Sequence, residues 1–266
     1  MISITLLHGG ITDHSPLSAL SFTGWLNSMK TLFSVRSLRV AFGERAVLSE
    51  LSFEVYEGEI LAIIGPNGSG KTVLLKTLLG LIPYTGTIVR DSQVRIGYVP
   101  QKILADRQMP LLAADLLKAK MRFLHLAPED LRSVAALVGL SPEIMAAGIG
   151  VLSGGQFQKV LIAMALLGNP NVLLFDEPTA SLDELEEERI YELLSTLQKE
   201  RRLTVLLVSH DLSIVHHFAD RVLCLARGAT CIGTPDNILT PEILEAAYAA
   251  PLKYHYHRQS DTEAWP

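Results

Sequence analysis

The sequence predicts an α/β fold, a largely parallel sheet with helices on its faces. Three observations carry that expectation. Short, almost wholly apolar runs recur along the chain, Ile60–Ile64, 172–175 and Thr204–Val208, as strands covered on both faces require. Segments with apolar residues at helical spacing separate them. A glycine-rich turn joins the first run directly to the first such helix.

The elements follow in order. Residues 33–40 and 47–55 alternate apolar and polar side chains, with Leu51, Phe53 and Val55 set against Ser52 and Glu54, the pattern of half-buried strands. The run Ile60–Ile64 leads through Gly65 to Thr72 into a helix marked by Leu74, Leu75, Leu78 and Leu79. Residues 87–89 and 94–99 read as a further pair of strands. From 103 to about 150 the composition turns to Leu, Ala and Met, cut into short helices by Pro110, Pro128 and Pro142. A long helix follows Ser153-Gly154-Gly155, and a charged helix from 183 to about 200 separates the last two apolar strands. Around Ala226 to Ala229 a turn between two short strands is expected, flanked by Cys224 and Cys231.

Two motifs carry chemistry. The first is Gly65-Pro66-Asn67-Gly68-Ser69-Gly70-Lys71-Thr72, set between a buried strand and a helix, the context that turns a loose pattern into a phosphate-binding P-loop. Its glycines let backbone N–H groups curl around phosphates at a helix N-terminus. Lys71 supplies a charge for the β- and γ-phosphates, and Thr72 a hydroxyl for Mg²⁺. The second is Val172-Leu173-Leu174-Phe175-Asp176-Glu177. A hydrophobic strand delivers two carboxylates at its C-terminal end, where open α/β sheets bind ligands. Asp176 is suited to the Mg²⁺ shell and Glu177 to polarising an attacking water. Together these motifs describe a P-loop NTPase and leave its family open.

The family enters with Leu152-Ser153-Gly154-Gly155-Gln156 at the start of a helix, which resembles the signature of the ATP-binding-cassette (ABC) family. The accompanying marks stand in the family's order: Gln101 in Tyr98-Val99-Pro100-Gln101, Asp183 in Ser181-Leu182-Asp183, and His210 in Val208-Ser209-His210-Asp211. The resemblance runs from about residue 33 to 249. It implies a RecA-like P-loop core with an antiparallel β subdomain and an inserted α-helical subdomain at about 103–152, within a nucleotide-binding domain spanning 33–250. It further implies ATP and Mg²⁺ as cofactors, with Thr72, Gln101 and Asp176 around the metal. Glu177, His210 and Gln101 are then the catalytic residues, and Phe42 the ring against adenine. Two copies would pair head to tail, Leu152 to Gln156 of one capping ATP held by Gly65 to Thr72 of the other, with Asp183 touching the opposite site. Departures from the family pattern, Val73, Lys159 and Glu184, remove no catalytic group.

The short helical block resembles importer cassettes. Arg95-Ile96-Gly97-Tyr98-Val99-Pro100-Gln101-Lys102 with Met109-Pro110-Leu111, and the tail Gly233-Thr234-Pro235-Asp236 with Ala246-Ala247-Tyr248, are similar to zinc and manganese uptake cassettes. The resemblance implies a separate integral membrane permease and an extracytoplasmic substrate-binding protein as partners, with the chain peripheral on the cytoplasmic face of the membrane. Cassettes for a siderophore, haem or a corrinoid are the alternative cargo reading. A soluble cassette acting on DNA is disfavoured, since the chain of 266 residues carries a net charge of −5 and no basic tract. With 48% hydrophobic and 19% charged residues a substantial core is expected, yet no run reaches the 18 or so apolar residues of a membrane-spanning helix.

Three regions stand apart. Residues 1–32 read as a disordered leader or an over-long start, with Met29 as the alternative first residue. Two cysteines in a chain of this size favour buried thiols over a disulfide. The tail 251–266 holds His255 and His257, which read as a solvated end, a regulatory metal site being the alternative.

Overall fold

The computed structural model describes residues 29–101, 110–177, 184–226 and 229–248. Strands β1 (Thr31–Phe42), β2 (Arg45–Tyr56), β3 (Ile60–Ile64), β4 (Thr85–Arg90) and β5 (Ile96–Val99) come first, with helix α1 (Lys71–Leu78) between β3 and β4. The helical insertion comprises α2 (Ala113–Phe123), α3 (Pro128–Leu137) and α4 (Pro142–Ala146). Then follow α5 (Gly154–Leu166), β6 (Val172–Asp176), α6 (Glu184–Arg201), β7 (Thr204–Val208), α7 (Leu212–Phe218), β8 (Arg221–Ala226), β9 (Ala229–Gly233), α8 (Pro235–Ile238) and α9 (Pro241–Tyr248).

These strands form two sheets. One is antiparallel, in the order β2-β1-β4; the other has the order β5-β6-β7-β3-β8-β9 and is parallel except for β9 at its edge. The strands expected at 87–89 and 94–99 do form, but in different sheets. β4 lies against β1, with Phe33 opposite Arg90, while β5 lies against β6, with Ile96 opposite Val172. β1 starts at Thr31, so Leu32, buried in the core, belongs to the folded domain.

Side-chain alternation along the central strands sorts residues between two cores. Leu173 and Phe175 of β6, with Val205 and Leu207 of β7, pack under α2, α3, α5 and α6. Val172, Leu174, Leu206 and Val208 face the other way, toward the antiparallel sheet and α1. β3 is buried along its whole length, Leu61 and Ile63 toward the antiparallel sheet, Ala62 and Ile64 toward α9 and β8. Burying each such Leu or Ile side chain contributes about 1.5–3 kcal/mol. The uninterrupted apolar runs in the sequence are thus strands with no solvent face.

The insertion's helices begin where proline permits. Pro128 and Pro142 occupy the first helical turn of α3 and α4, a position where the missing N–H costs nothing. α5 seats unusually close to the sheet. A Cβ on Gly97 of β5 would stand 2.5 Å from the Ala165 carbonyl oxygen, so only glycine allows that approach.

The end of the sheet where the parallel strands begin is tied by buried polar groups. Arg221 Nη1 lies 3.2 and 3.0 Å from the two Glu59 carboxylate oxygens, and donates to the Glu54 carbonyl at 3.2 Å. Its guanidinium sits 4.9 Å from the Tyr56 ring centre, and the Tyr56 N–H donates to Glu59 at 2.8 Å. Burial pushes the Glu59 carboxyl up to about 7, although Arg221 and the Tyr56 amide pull it back.

Candidate nucleotide site

The site lies at the opposite end, where the parallel strands finish. β3 runs into the loop 65–70, in which Gly65, Gly68 and Gly70 have φ of 148°, 77° and 100°. At Gly65 the restriction is absolute, because a Cβ would stand 2.1 Å from the Leu225 carbonyl oxygen. No side chain caps α1, which leaves its first amides directed into the loop. The Pro66 carbonyl accepts the Ser69 N–H at 3.1 Å and closes the turn. Lys71, buried, folds back to donate to the carbonyls of Gly65 at 2.9 Å and Pro66 at 3.3 Å.

β6 delivers Asp176 and Glu177. Asp176, buried at 1% exposure, accepts hydrogen bonds from the Thr72 hydroxyl at 3.0 Å and the Tyr98 hydroxyl at 3.3 Å. Burial raises its carboxyl above the ordinary range, the neighbouring Glu177 charge adds to that, and Thr72 and Tyr98 oppose it. The Tyr98 phenol is pushed up to about 12, chiefly by burial and then by Asp176. Glu177 has a left-handed backbone, φ 44°, fixed by its N–H donating to the Val208 carbonyl at 3.2 Å.

The Glu177 carboxylate is a point of convergence. Gln101 Nε2, from the end of β5, donates to one oxygen; His210 Nε2, from the end of β7, meets the other; Lys71 Nζ lies 3.7 Å from that second oxygen. His210 is held by its neighbours. Asp211 caps α7, accepting from Ser213 N at 2.8 Å and Ile214 N at 3.1 Å, and its own N–H donates to the Ser209 hydroxyl at 3.1 Å. Burial depresses the Lys71 ammonium, and Glu177 and Asp176 counter it.

A cleft of about 390 Å³ opens over this cluster, lined by residues that include Asn67, Gly68, Gly70, Thr72, Gln101 and Glu177, with Arg45 and Val47 on its β2 wall. An adjoining hollow of about 310 Å³ touches Ser69 and Ala46. Ser69 Oγ is, among the described residues, one of two buried side-chain polar atoms with no hydrogen-bond partner. An orphaned hydroxyl, an uncapped helix end and a buried ammonium on one loop fit a bound phosphate chain.

The structure therefore brings together Gly65 to Thr72, Asp176, Glu177, Gln101 and His210. Phe42 ends β1, half exposed at the turn leading to Arg45. Leu152 to Gln156 form no part of the cleft lining. Ser153 instead caps α5, its hydroxyl accepting from Gln156 N at 3.2 Å while Gln156 Oε1 accepts from Ser153 N at 3.0 Å. Ser153 and Gly154 remain exposed, and Gly155 is buried against Glu186. Asp183, His255 and His257 lie outside the described residues. Cys224 and Cys231 are free thiols directly opposite one another on β8 and β9. His216 pairs with Asp236 and His217 packs edge-on against Phe218.

Three contributors have no expectation from sequence: Arg45, Tyr98 acting on Asp176, and Tyr248, whose hydroxyl accepts the Gly65 N–H at 3.1 Å. Tyr98 stands in a motif, but only the register of β5 beside β6 places its ring by Asp176.

The ABC transporter family profile matches residues 48–180. A zinc import ATP-binding protein, ZnuC of Cereibacter sphaeroides, is 43% identical over 206 residues, covering 77% of this chain and 83% of the relative. The chain belongs to the ABC transporter family. It is an ATP-binding, ATP-hydrolysing subunit of that family, and its fold agrees. An inward-facing metal-chelate type ABC transporter superposes with a TM-score of 0.75 at 28% identity, covering 84% of this chain and 90% of that one. CbiO1 of Clostridium perfringens, part of the ABC transporter complex CbiONQ, superposes with a TM-score of 0.69 at 26% identity over 80% and 92% of the two chains. Among the described residues, no helix is long and apolar enough to cross a membrane.

Proposed function

We propose that this ABC ATPase energises uptake of a divalent metal ion, zinc or manganese, through a separate integral membrane permease fed by an extracytoplasmic substrate-binding protein. The observation that carries the catalytic half is the convergence of Lys71, Gln101 and His210 on the single carboxylate of Glu177. The cargo half is supported by 43% identity to a protein named for zinc import and by likeness to a metal-chelate transporter.

In this reading the amides of Gly65 to Gly70 and the Lys71 ammonium bind the β- and γ-phosphates, Pro66, Asn67 and Ser69 shape the loop, and Phe42 packs on adenine. Lys71 exchanges its loop carbonyls for phosphate oxygens. Thr72, Asp176 and Gln101 would hold Mg²⁺, which neutralises phosphate charge when bound. Glu177 accepts the proton of the attacking water, and His210, released from Glu177, donates to the γ-phosphate. The exposure of Ser153 and Gly154 suits a second copy paired head to tail, with Leu152 to Gln156 and Asp183 reaching the opposite site. The nucleotide-binding domain is then 33–250, extended at its start to Thr31 by β1, with the helical subdomain at about 103–152, on the cytoplasmic face of the membrane.

Total cellular metal content after deletion of the gene tests this reading, with rescue by wild type or by Glu177→Gln. Zinc or manganese should fall and be restored by wild type alone. Unchanged metal, with normal growth under chelation, would leave the ATPase and remove the metal cargo.

A further inference from the structure

We propose that Tyr248, on the last described helix, is a positioning residue for the phosphate loop: its hydroxyl holds the Gly65 N–H and thereby makes nucleotide affinity depend on the docking of α9. The inference rests on the assignment of Gly65 to Thr72 to nucleotide.

Gly65 is the hinge between the sheet and the loop. Its neighbour Ile64 is the last β3 residue paired with β8, opposite Cys224, so the Gly65 N–H lies beyond the regular ladder. Tyr248 Oη accepts it at 3.1 Å, from a position 183 residues away in the chain. On the other side, the Leu225 carbonyl presses so close that no Cβ fits. Glycine at φ 148° has no side chain to restrict its rotation. What fixes it must come from outside: Leu225 and Tyr248 on the side of its N–H and Cα, and Lys71 at its carbonyl.

That orientation matters because the Gly65 carbonyl accepts from Lys71 Nζ at 2.9 Å. One residue thus presents its N–H to α9 and its C=O to the phosphate-binding lysine. The backbone angles between those two groups set where the ammonium rests. α9 itself is held by Leu244, fully buried, and Ala247, which pack with Ile64 and Cys224. Burial keeps the Tyr248 phenol above its ordinary range, against the pull of the Gly65 amide, so it meets the amide as a neutral hydroxyl.

The test uses the full-length chain with Tyr248→Phe, which keeps the ring and removes the hydroxyl. Affinity for a fluorescent ATP analogue and steady-state KM for ATP are measured beside kcat and the thermal midpoint. Losing a bond to a buried amide should weaken nucleotide binding about five- to twentyfold, carried in Kd and KM rather than in kcat. Leu244→Ala, which loosens α9, should weaken binding alone but add little on top of Tyr248→Phe, since the hydroxyl is the route between them. Unchanged Kd in Tyr248→Phe, an equal fall in kcat with a lowered midpoint and normal Kd, or full additivity of the two substitutions would each overturn the proposal. Lys71→Ala separates this from the underlying assignment: if it loses nucleotide while Tyr248→Phe does not, the P-loop reading stands and the Tyr248 role falls.

Discussion

Replacing Glu59 by Gln should flatten the pH dependence of stability in a defined window. Glu59 is fully buried, and its carboxyl rises from an ordinary 4.5 to about 7 in the folded protein. Between those values the folded protein retains a proton that the unfolded chain has released. Stability therefore falls as pH rises, by about 1.4 kcal/mol per unit while the difference is one proton. The contribution is complete below 4.5 and gone once pH passes about 7, a total of roughly 3 kcal/mol. Glutamine at 59 copies the protonated acid and removes this term. Arg221 stays charged throughout this range, so the variant carries no titrating pair at this position. Urea unfolding of both proteins across about pH 5 to 8 gives the free-energy difference at each pH. Wild type minus variant should fall by roughly 3 kcal/mol across that range, other titrating groups cancelling in the subtraction. A difference that stays level would show that Arg221 and the Tyr56 amide keep the carboxylate ionised throughout, and that burial does not govern this pair.

Two further outcomes concern the cleft. Glu177→Gln should lower ATP turnover by about 10²–10⁴-fold while nucleotide still binds and promotes dimer formation, followed by phosphate release and by size-exclusion chromatography; wild-type turnover would remove Glu177 from its role. Lys71→Ala should weaken ATP binding by roughly ten- to a hundredfold, as loss of a charged hydrogen bond predicts, and calorimetry finding equal affinity would contradict the phosphate-loop assignment.

Much of this architecture can be read from residues alone, for identifiable reasons. A strand with no solvent face needs an unbroken apolar run, so β3 and β7 match their expected bounds. The loop from Gly65 to Thr72 combines residue types that only phosphate binding requires together. Pairing partners are less visible. Alternation shows that 87–89 and 94–99 are strands, but nothing local shows that one joins β1 and the other β6. Side-chain reach is least visible of all. Tyr248 stands in the tail that resembles metal uptake cassettes, but nothing near it in sequence shows that its hydroxyl meets the Gly65 N–H. The same holds for Tyr98, whose partner Asp176 is 78 residues ahead.

The missing side chain at Gly97 has a mechanical consequence. It lets α5 rest its Ala165 end directly on the backbone of β5, the strand whose far end carries Gln101. The 13 residues of α5 span about 20 Å, from the exposed Ser153 at one end to the contact with Gly97 at the other. One helix thus joins the exposed Ser153 to the strand that leads to Gln101, whose amide donates to Glu177. A Cβ at position 97 would stand 2.5 Å from the Ala165 carbonyl oxygen, so any other residue there would force α5 and β5 apart.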